Sequence, residues 1–238
     1  MSLVRGDGAL QTQVLEDLEG AANWRRWLCD LALPYLGDDP LEVGSGTGYY
    51  GEELAHHLPS LTVSEADPRR LVTLRERFAD HDRVRVRPLH VPISERGEHS
   101  AVVSFNVLEH IPDDTAALAS FAGLVRPGGA VVVLTPAGPF AMSPFDREIG
   151  HVRRYSRRSL VAAATAAGLT VEEVRHINAP GLIAWIVAMR LLRRRPGASV
   201  AQRVWDARII PFIRRVEAHV RVPFGQTLLL VARVPHDG

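Results

Sequence analysis

The sequence predicts a doubly wound α/β fold whose mostly parallel sheet has an antiparallel last strand and carries a helical insert. Three observations support this. Short apolar runs alternate with segments of helical period over residues 40–135, the pattern of a parallel sheet with helical crossovers. A glycine-rich loop, "LEVGSGTGYYGEEL" from Leu41 to Leu54, follows the first apolar run directly and opens a helix. Beyond Pro136 the order becomes strand, long helical stretch, strand, which suggests a cap over one edge of the sheet.

Helical segments open the chain near Leu10 to Leu18 and Ala22 to Tyr35, within N-terminal helices expected over 9–36. The candidate strands are Pro40 to Val43, Leu61 to Glu65, Val84 to Pro88, Ala101 to Phe105 and Ala130 to Leu134, each next to a helix. Asp113 and Asp114 can cap a helix with Leu118, Phe121, Ala122 and Val125 on one face, and Pro127-Gly128-Gly129 ends it. A polar loop then runs to Tyr155, followed by a helix near Arg158 to Ala167 and a strand near Thr170 to Ile177. A mostly helical insert is expected over 178–222, and "QTLLLVARV", Gln226 to Val234, reads as the last strand. In the insert Trp205, Ile209, Phe212, Ile213, Val216 and Val220 fall on one stripe of a core-facing kind, with Pro211 expected to kink the helix.

A length of 238 residues suits one α/β domain over 1–238. With 46% hydrophobic residues, 23% charged and a net charge of +1, nothing biases the surface toward nucleic acid. The lone Cys29 cannot form an internal disulfide and no early segment has the order of a signal peptide, so a cytoplasmic location is expected. All 28 basic residues are arginine. Without lysine, Schiff-base chemistry, a P-loop lysine and a Tyr-x-x-x-Lys dehydrogenase pair are excluded.

The loop itself holds two nucleotide-binding patterns: Gly44, Gly46 and Gly48 spell G-x-G-x-G, and Gly46, Gly48 and Gly51 spell G-x-G-x-x-G. The first implies S-adenosylmethionine and the second a dinucleotide. Counting from the glycine directly after the strand, Gly44, gives only the first pattern. Glu65 can bind ribose hydroxyls under either reading. A dehydrogenase of this length would use the tyrosine and lysine pair that the chain lacks, so the first reading is favoured.

"LEVGSGTG", "VSEADP", "VVSFNVLEHIPDD" and "LVRPGGAVVVLTPA", in that order, resemble the class I S-adenosylmethionine-dependent methyltransferases over residues 23–177. "NWRRWLCDLALPYLG", "DREIGHVRRYSRRSL" and "PFGQTLLLVAR" look like a bacterial subgroup with a G-H-x-R-R-Y block. The resemblance implies a Rossmann-like sheet and S-adenosylmethionine as cofactor. It places Glu42 at the methionine end, Gly44, Ser45, Gly46 and Gly48 along the cofactor backbone, and Glu65 with Ala66 at the ribose. Asn106, Leu108 and Glu109, after the fourth strand, would flank the sulfonium. Two departures stand out. "VRPLHVPIS" offers no carboxylate for adenine, leaving Leu89, His90 or backbone atoms, and the fourth strand begins "HSAVV" instead of with aspartate.

Methyl transfer needs positioning, exclusion of water and, for a hydroxyl or protonated amine, removal of a proton. Candidate bases are His110, His151, Glu109 and Asp146. His110 can serve as base or shape the pocket through a loop carbonyl. In "DREIGHVRRY", Asp146 to Tyr155, Arg153 or Arg154 can bind an acidic acceptor, with Tyr155 nearby, or an Asp146 to arginine network can order the loop. No metal is expected, because His110, His151 and Asp146 are scattered along the chain and nothing resembles a zinc motif. The insert's "LIAWIVAMRLLRRR", Leu182 to Arg195, is too short to span a membrane. It can lie on an anionic surface, pair two copies as a homodimer, or act as a lid in a monomer, with Trp185 and Met189 against the substrate. The expected activity is methylation of a small molecule, a secondary metabolite or a sugar-containing or lipid-like intermediate; the alternative is a non-catalytic S-adenosylmethionine-binding regulator.

Overall fold

The computed structural model describes residues 10–12, 20–191 and 200–236. In chain order the elements are α1 (Ala22–Ala32), β1 (Leu41–Val43), α2 (Tyr49–Ala55), β2 (Leu61–Glu65), α3 (Pro68–Arg77), β3 (Val84–Pro88), β4 (His99–Phe105), α4 (Asp114–Gly123) and β5 (Val125–Pro136). They continue with α5 (Pro144–Glu148), α6 (Arg157–Ala166), β6 (Thr170–Ile177), α7 (Ala179–Ile186), α8 (Val200–Val204), α9 (Ile210–Glu217) and β7 (Thr227–Arg233). Of the expected helix Leu10 to Leu18 only Leu10 to Thr12 is described, as helix; the remainder, like the basic run Arg193 to Arg195, lies outside the described residues.

The seven strands form one sheet in the order β3-β2-β1-β4-β5-β7-β6. β1 to β5 run parallel, while β7 pairs antiparallel with both β5 and β6. Strand order reverses between β1 and β4, so the loops leaving these strands meet at the C-terminal edge, where doubly wound sheets bind ligands. Alternation along the strands covers both faces. Val63, Val103 and Val132 join α1, α2, α3 and α9 in one core, while Leu41, Val43, Val102 and Val131 join α4 and α6 in the other.

Local chemistry starts several helices. Asp67 accepts hydrogen bonds from the Arg69 and Arg70 amides ahead of α3, with Pro68 in the first turn, and Asp113 accepts from Ala116 N at the start of α4. Ser143 and Asp146 form a reciprocal capping box on α5.

Two expectations about boundaries and faces are corrected. α4 stops at Gly123, and Val125 is the first residue of β5 instead of part of the helix face. Pro127-Gly128-Gly129 lies within β5, where the register with β4 jumps from His99↔Val125 to Ala101↔Ala130. A bulge therefore absorbs these residues, with Gly128 at φ 76. In the insert, Ile213 is buried but Phe212 and Val220 are 64% and 55% exposed. The buried line is Asp206, Ile210 and Ile213, one turn apart on the opposite side of the helix from Phe212. Pro211 sits in the first turn of α9, just after a wide π-type turn at Trp205–Ile209.

Two acidic residues fasten the insert, one to α1 and one between its own two ends. Asp206 accepts hydrogen bonds from the amides of Asn23 and Trp24 at the start of α1, whose own N-cap, Ala21, has no side chain to offer. Glu217 accepts from the amides of Asn178 and Ala179 at the start of α7. Among the described residues no helix is long and apolar enough to cross a membrane.

Candidate active site

β1 ends in the glycine loop. Gly44, Gly46 and Gly48 have φ of 73, 58 and 92, left-handed values that favour glycine. A Cβ on Gly44 would also lie 2.6 Å from Val107 Cγ2, so the loop rests directly on the segment that follows β4. Ser45 ties it to β2: its amide donates to Ser64 O at 2.7 Å, and its Oγ accepts from Ser64 N at 3.1 Å. Gly51 belongs to α2, where an added Cβ would meet Val63 and Glu42, each at 2.8 Å. The loop glycines are those of the first pattern.

Glu65, at the end of β2, is 4% exposed. Its Oε2 accepts from Gly46 N at 2.9 Å; its Oε1 accepts from Ala66 N and Asp67 N, both at 2.8 Å, and from Arg70 Nη2 at 3.3 Å. Three donors thus fall on Oε1 and one on Oε2, which leaves an acceptor site on Oε2. A hydroxyl of a diol can be accepted there without displacing any of the four. Arg70 has no motif signal of its own; it reaches Glu65 because Asp67 and Pro68 start α3 where they do.

Glu42 stands between Leu41 and Val43 and therefore points into the opposite core. It is 1% exposed and its Oε2 has no hydrogen-bond partner. Burial pushes its carboxyl up to about 7, against the lowering effect of a Ser45 hydrogen bond. Beside it a small pocket is lined by Ser45, Thr47, Tyr49, Tyr50, Trp24 and Arg25. Buried acceptors and a close-approach glycine loop at one sheet edge fit the methionine and ribose portions of S-adenosylmethionine. Of the two side chains the sequence offers for adenine, Leu89 is buried and His90 exposed.

After β4, Asn106 adopts φ 53 and donates its amide to Leu134 O at 2.8 Å, turning the chain over the edge of β5. Leu108 is fully buried, so only its backbone is left to face a ligand. Glu109 is also fully buried: Oε2 accepts from Thr135 Oγ1 of β5 at 3.1 Å, while Oε1 has no hydrogen-bond partner. His151 Nε2 lies 3.8 Å from that Oε1, beyond hydrogen-bond reach. The rings of His110 and His151 meet edge to face at 4.7 Å. Burial and the neighbouring His151 lower His110 to about 3, leaving it neutral. The Glu109 carboxyl is pushed up by burial, against the opposing influence of His151 and Thr135.

Spacing along the chain gives no ligand motif, but the fold gathers a trio that includes Glu109 in place of Asp146. Glu109, His110 and His151 offer three ligand atoms that all lie within 4.8 Å of one another. The loop Gly150 to Tyr155 folds back on the turn after β4, fastened by Val152 N donating to Glu109 O at 2.9 Å. Thr135, which holds Glu109, carries no signal in the sequence beyond its place in an apolar strand.

In "DREIGHVRRY" the internal network is the arrangement found. Asp146 Oδ1 accepts from Arg154 Nη2 at 2.7 Å, from Arg154 Nε at 3.0 Å and from His151 Nδ1 at 2.9 Å. Burial by itself would raise the Asp146 carboxyl, but the hydrogen bonds from His151 and Arg154 outweigh it and hold the group well below the usual carboxylate range. Arg154 is 6% exposed and engaged with Asp146, so it is not free to grip an acidic acceptor. Tyr155 is a core residue, 1% exposed, with its hydroxyl donating to Asp114 at 2.8 Å, and is not an acceptor contact. Arg153 is held by Asp114 and the Pro112 carbonyl. The alternation of a loop with no apolar period hides which of these side chains turns inward.

α7 brings Trp185 over this network: Arg154 Cζ lies 4.6 Å above its ring, and its Nε1 donates to Ala141 O at 3.3 Å. Met189, Phe145 and Ile149 form a small apolar cluster with it.

Residues 20–174 match the model of the methyltransferase-domain family. An uncharacterized methyltransferase of Mycobacterium tuberculosis is 34% identical over 116 residues, covering 47% of this chain and 57% of that protein. A ubiquinone biosynthesis O-methyltransferase of Bordetella avium is 30% identical over 114 residues, covering 46% and 47%. The match thus spans about half the length of these relatives. The crystal structure of an S-adenosylmethionine-dependent methyltransferase from Mesorhizobium loti has the same fold, with a TM-score of 0.59 at 18% identity over 91% of this chain and 99% of that one. With a family match over most of the chain and a glycine loop, ribose-side carboxylate and sheet order that agree with it, this chain belongs to the methyltransferase-domain family, in its class I, S-adenosylmethionine-dependent form.

Proposed function

We propose that the chain transfers the methyl group of S-adenosylmethionine to a small-molecule acceptor seated at Glu109, His110 and His151. The observation that carries this reading is how closely Gly44 approaches Val107, which leaves no room for a Cβ: it sets the cofactor loop against the segment that presents this buried cluster. Bound S-adenosylmethionine supplies an electrophilic methyl on a cationic sulfur. Gly44 to Gly48 admit its backbone and Glu65 its ribose. Asp146 holds His151 through Nδ1, which turns the lone pair of Nε2 toward Glu109 and the acceptor. As the acceptor oxygen or nitrogen bonds to the methyl carbon and the carbon–sulfur bond breaks, the acceptor's proton leaves through this cluster, His151 Nε2 being the lone pair at hand. The insert, with Trp185 and Met189, covers the acceptor and excludes water. A net charge of +1 over the chain gives no general attraction to a polyanion, which favours a small-molecule acceptor.

The test is transfer of tritium from methyl-labelled S-adenosylmethionine into an extracted pool of small metabolites. Label in a metabolite fraction that disappears with His151→Ala is the expected result. Tight cofactor binding with no transfer to any fraction would reject the enzyme reading in favour of a cofactor-binding regulator.

A further inference from the structure

We propose that Glu109, His110 and His151 form a divalent transition-metal site of the zinc type, with an open position facing the acceptor. Two imidazoles and one carboxylate are the donor set of catalytic zinc and related sites, and favour such ions over magnesium or calcium. The three ligand atoms lie within 4.8 Å of one another, and Glu109 Oε1 is 3.8 Å from His151 Nε2. Around an ion with bonds of roughly 2.1 Å they would stand about 3.4 Å apart, so no pair has to close by more than about 1.4 Å.

The second observation is how each side chain is held from behind. His151 Nδ1 bonds to Asp146, Glu109 Oε2 accepts from Thr135 Oγ1, and His110 hydrogen-bonds the Gly150 backbone. Within the trio, Glu109 Oε1 and His110 Nδ1 are buried with no hydrogen-bond partner. Buried polar atoms left unpaired cost free energy, and a cation would satisfy both. Outer partners on every ligand, with a carboxylate behind one histidine, are the support that metal ligands need.

Binding of the ion stands on this geometry alone; its role in catalysis rests on the reading of the cluster as the acceptor site. With the ion in place His151 is a ligand and no longer the proton acceptor. An acceptor hydroxyl would take the open position, lose its proton to solvent more readily, and attack the methyl carbon as an oxyanion while the carbon–sulfur bond breaks and S-adenosylhomocysteine leaves with the electron pair.

The experiment uses the full chain stripped of metal and titrated with Zn2+ alone by calorimetry, with Mg2+ as comparison. One equivalent of Zn2+ should bind and Mg2+ should not compete. His110→Ala and Glu109→Gln should each weaken binding by about tenfold or more. Co2+ added to the unmodified chain should give the visible bands of a low-symmetry nitrogen and oxygen site, a readout independent of whether variants fold. No stoichiometric binding, or binding indifferent to both substitutions in folded protein, overturns the site. Where transfer is measured, chelation should lower it and Zn2+ or Mn2+ restore it; unchanged turnover of metal-free enzyme overturns the catalytic role. Metal binding in a chain that methylates nothing would count against the methyl-transfer reading and leave the site intact.

Discussion

Asp146 and His151 meet through a 2.9 Å hydrogen bond, Oδ1 to Nδ1, that closes across the turn at Gly150. Backbone geometry enforces it, since His151 N also donates to Asp146 O at 2.8 Å. The carboxylate stays ionised, so it can only accept, and the imidazole proton is confined to Nδ1. Asp146→Ala should therefore act twice. Leaving Arg154 buried without its partner should cost about 3–5 kcal/mol in urea unfolding, and freeing the His151 ring should lower turnover even after correction for the folded fraction. Wild-type stability in the variant would mean that the Arg154 pair contributes nothing.

His110→Ala and His151→Ala should reduce turnover far more than affinity for S-adenosylmethionine, because both rings belong to the proposed acceptor cluster and not to the glycine loop. Calorimetry against steady-state rates separates the two quantities. A loss confined to cofactor affinity would move both residues to cofactor support.

Glu42 should make stability depend on pH. Its carboxyl is raised from 4.5 to about 7 by burial, so the folded chain keeps a proton that the unfolded chain releases. This contribution is fully present below pH 4.5 and is lost as pH rises through 7, a change of roughly 3 kcal/mol. Glu42→Gln should flatten that part of the profile in unfolding experiments between pH 4.5 and 8. Parallel profiles for the two proteins would rule out a neutral Glu42.

At the glycine loop, Gly44→Ala should abolish cofactor binding, since φ 73 strains the new residue and its Cβ meets Val107. Adding Val107→Ala should recover part of the loss by removing the clash while the backbone strain persists. Glu65→Ala should weaken binding by ~1–3 kcal/mol, the range for hydrogen bonds to a charged group. An unaltered dissociation constant in Glu65→Ala would reject the ribose role.

Trp185→Ala should change acceptor preference and leave cofactor affinity in place, because the ring lies over the Asp146 and Arg154 network and not over the glycine loop. If the insert instead joins two copies, the same substitution would shift the sedimentation coefficient toward monomer at constant selectivity.

Local pattern was sufficient for much of the sheet. Leu61 to Glu65, Val84 to Pro88 and Thr170 to Ile177 are strands over the residues that apolar alternation predicts, and the glycine loop falls where β1 turns into α2. Those features depend on neighbours a few residues away, and so can be read along the chain. The end of α4 could not be, because the bulge that takes Gly128 and Gly129 into β5 is set by pairing with β4. The stripe on α9 misled for a related reason: helical period shows that a helix has two faces, while packing chooses which one is covered. Asp206 and Glu217 look like ordinary surface acids until the fold sets them on the first amides of α1 and α7.

The site divides in the same way. Sequence by itself determined the cofactor class, because close backbone approach requires glycines at fixed positions after a strand, and counting from Gly44, directly after the first one, gives only G-x-G-x-G. The absence of lysine removed the competing chemistries. Tertiary structure decided which polar residues of "DREIGHVRRY" are structural: Tyr155 and Arg154 are consumed by Asp114 and Asp146, leaving His151 with one nitrogen to spare. It also decided that Glu109, His110 and His151 are one cluster. Ligand sets are defined by distance in space, and these three meet only because β4, β5 and the loop before α6 converge at a single edge of the sheet.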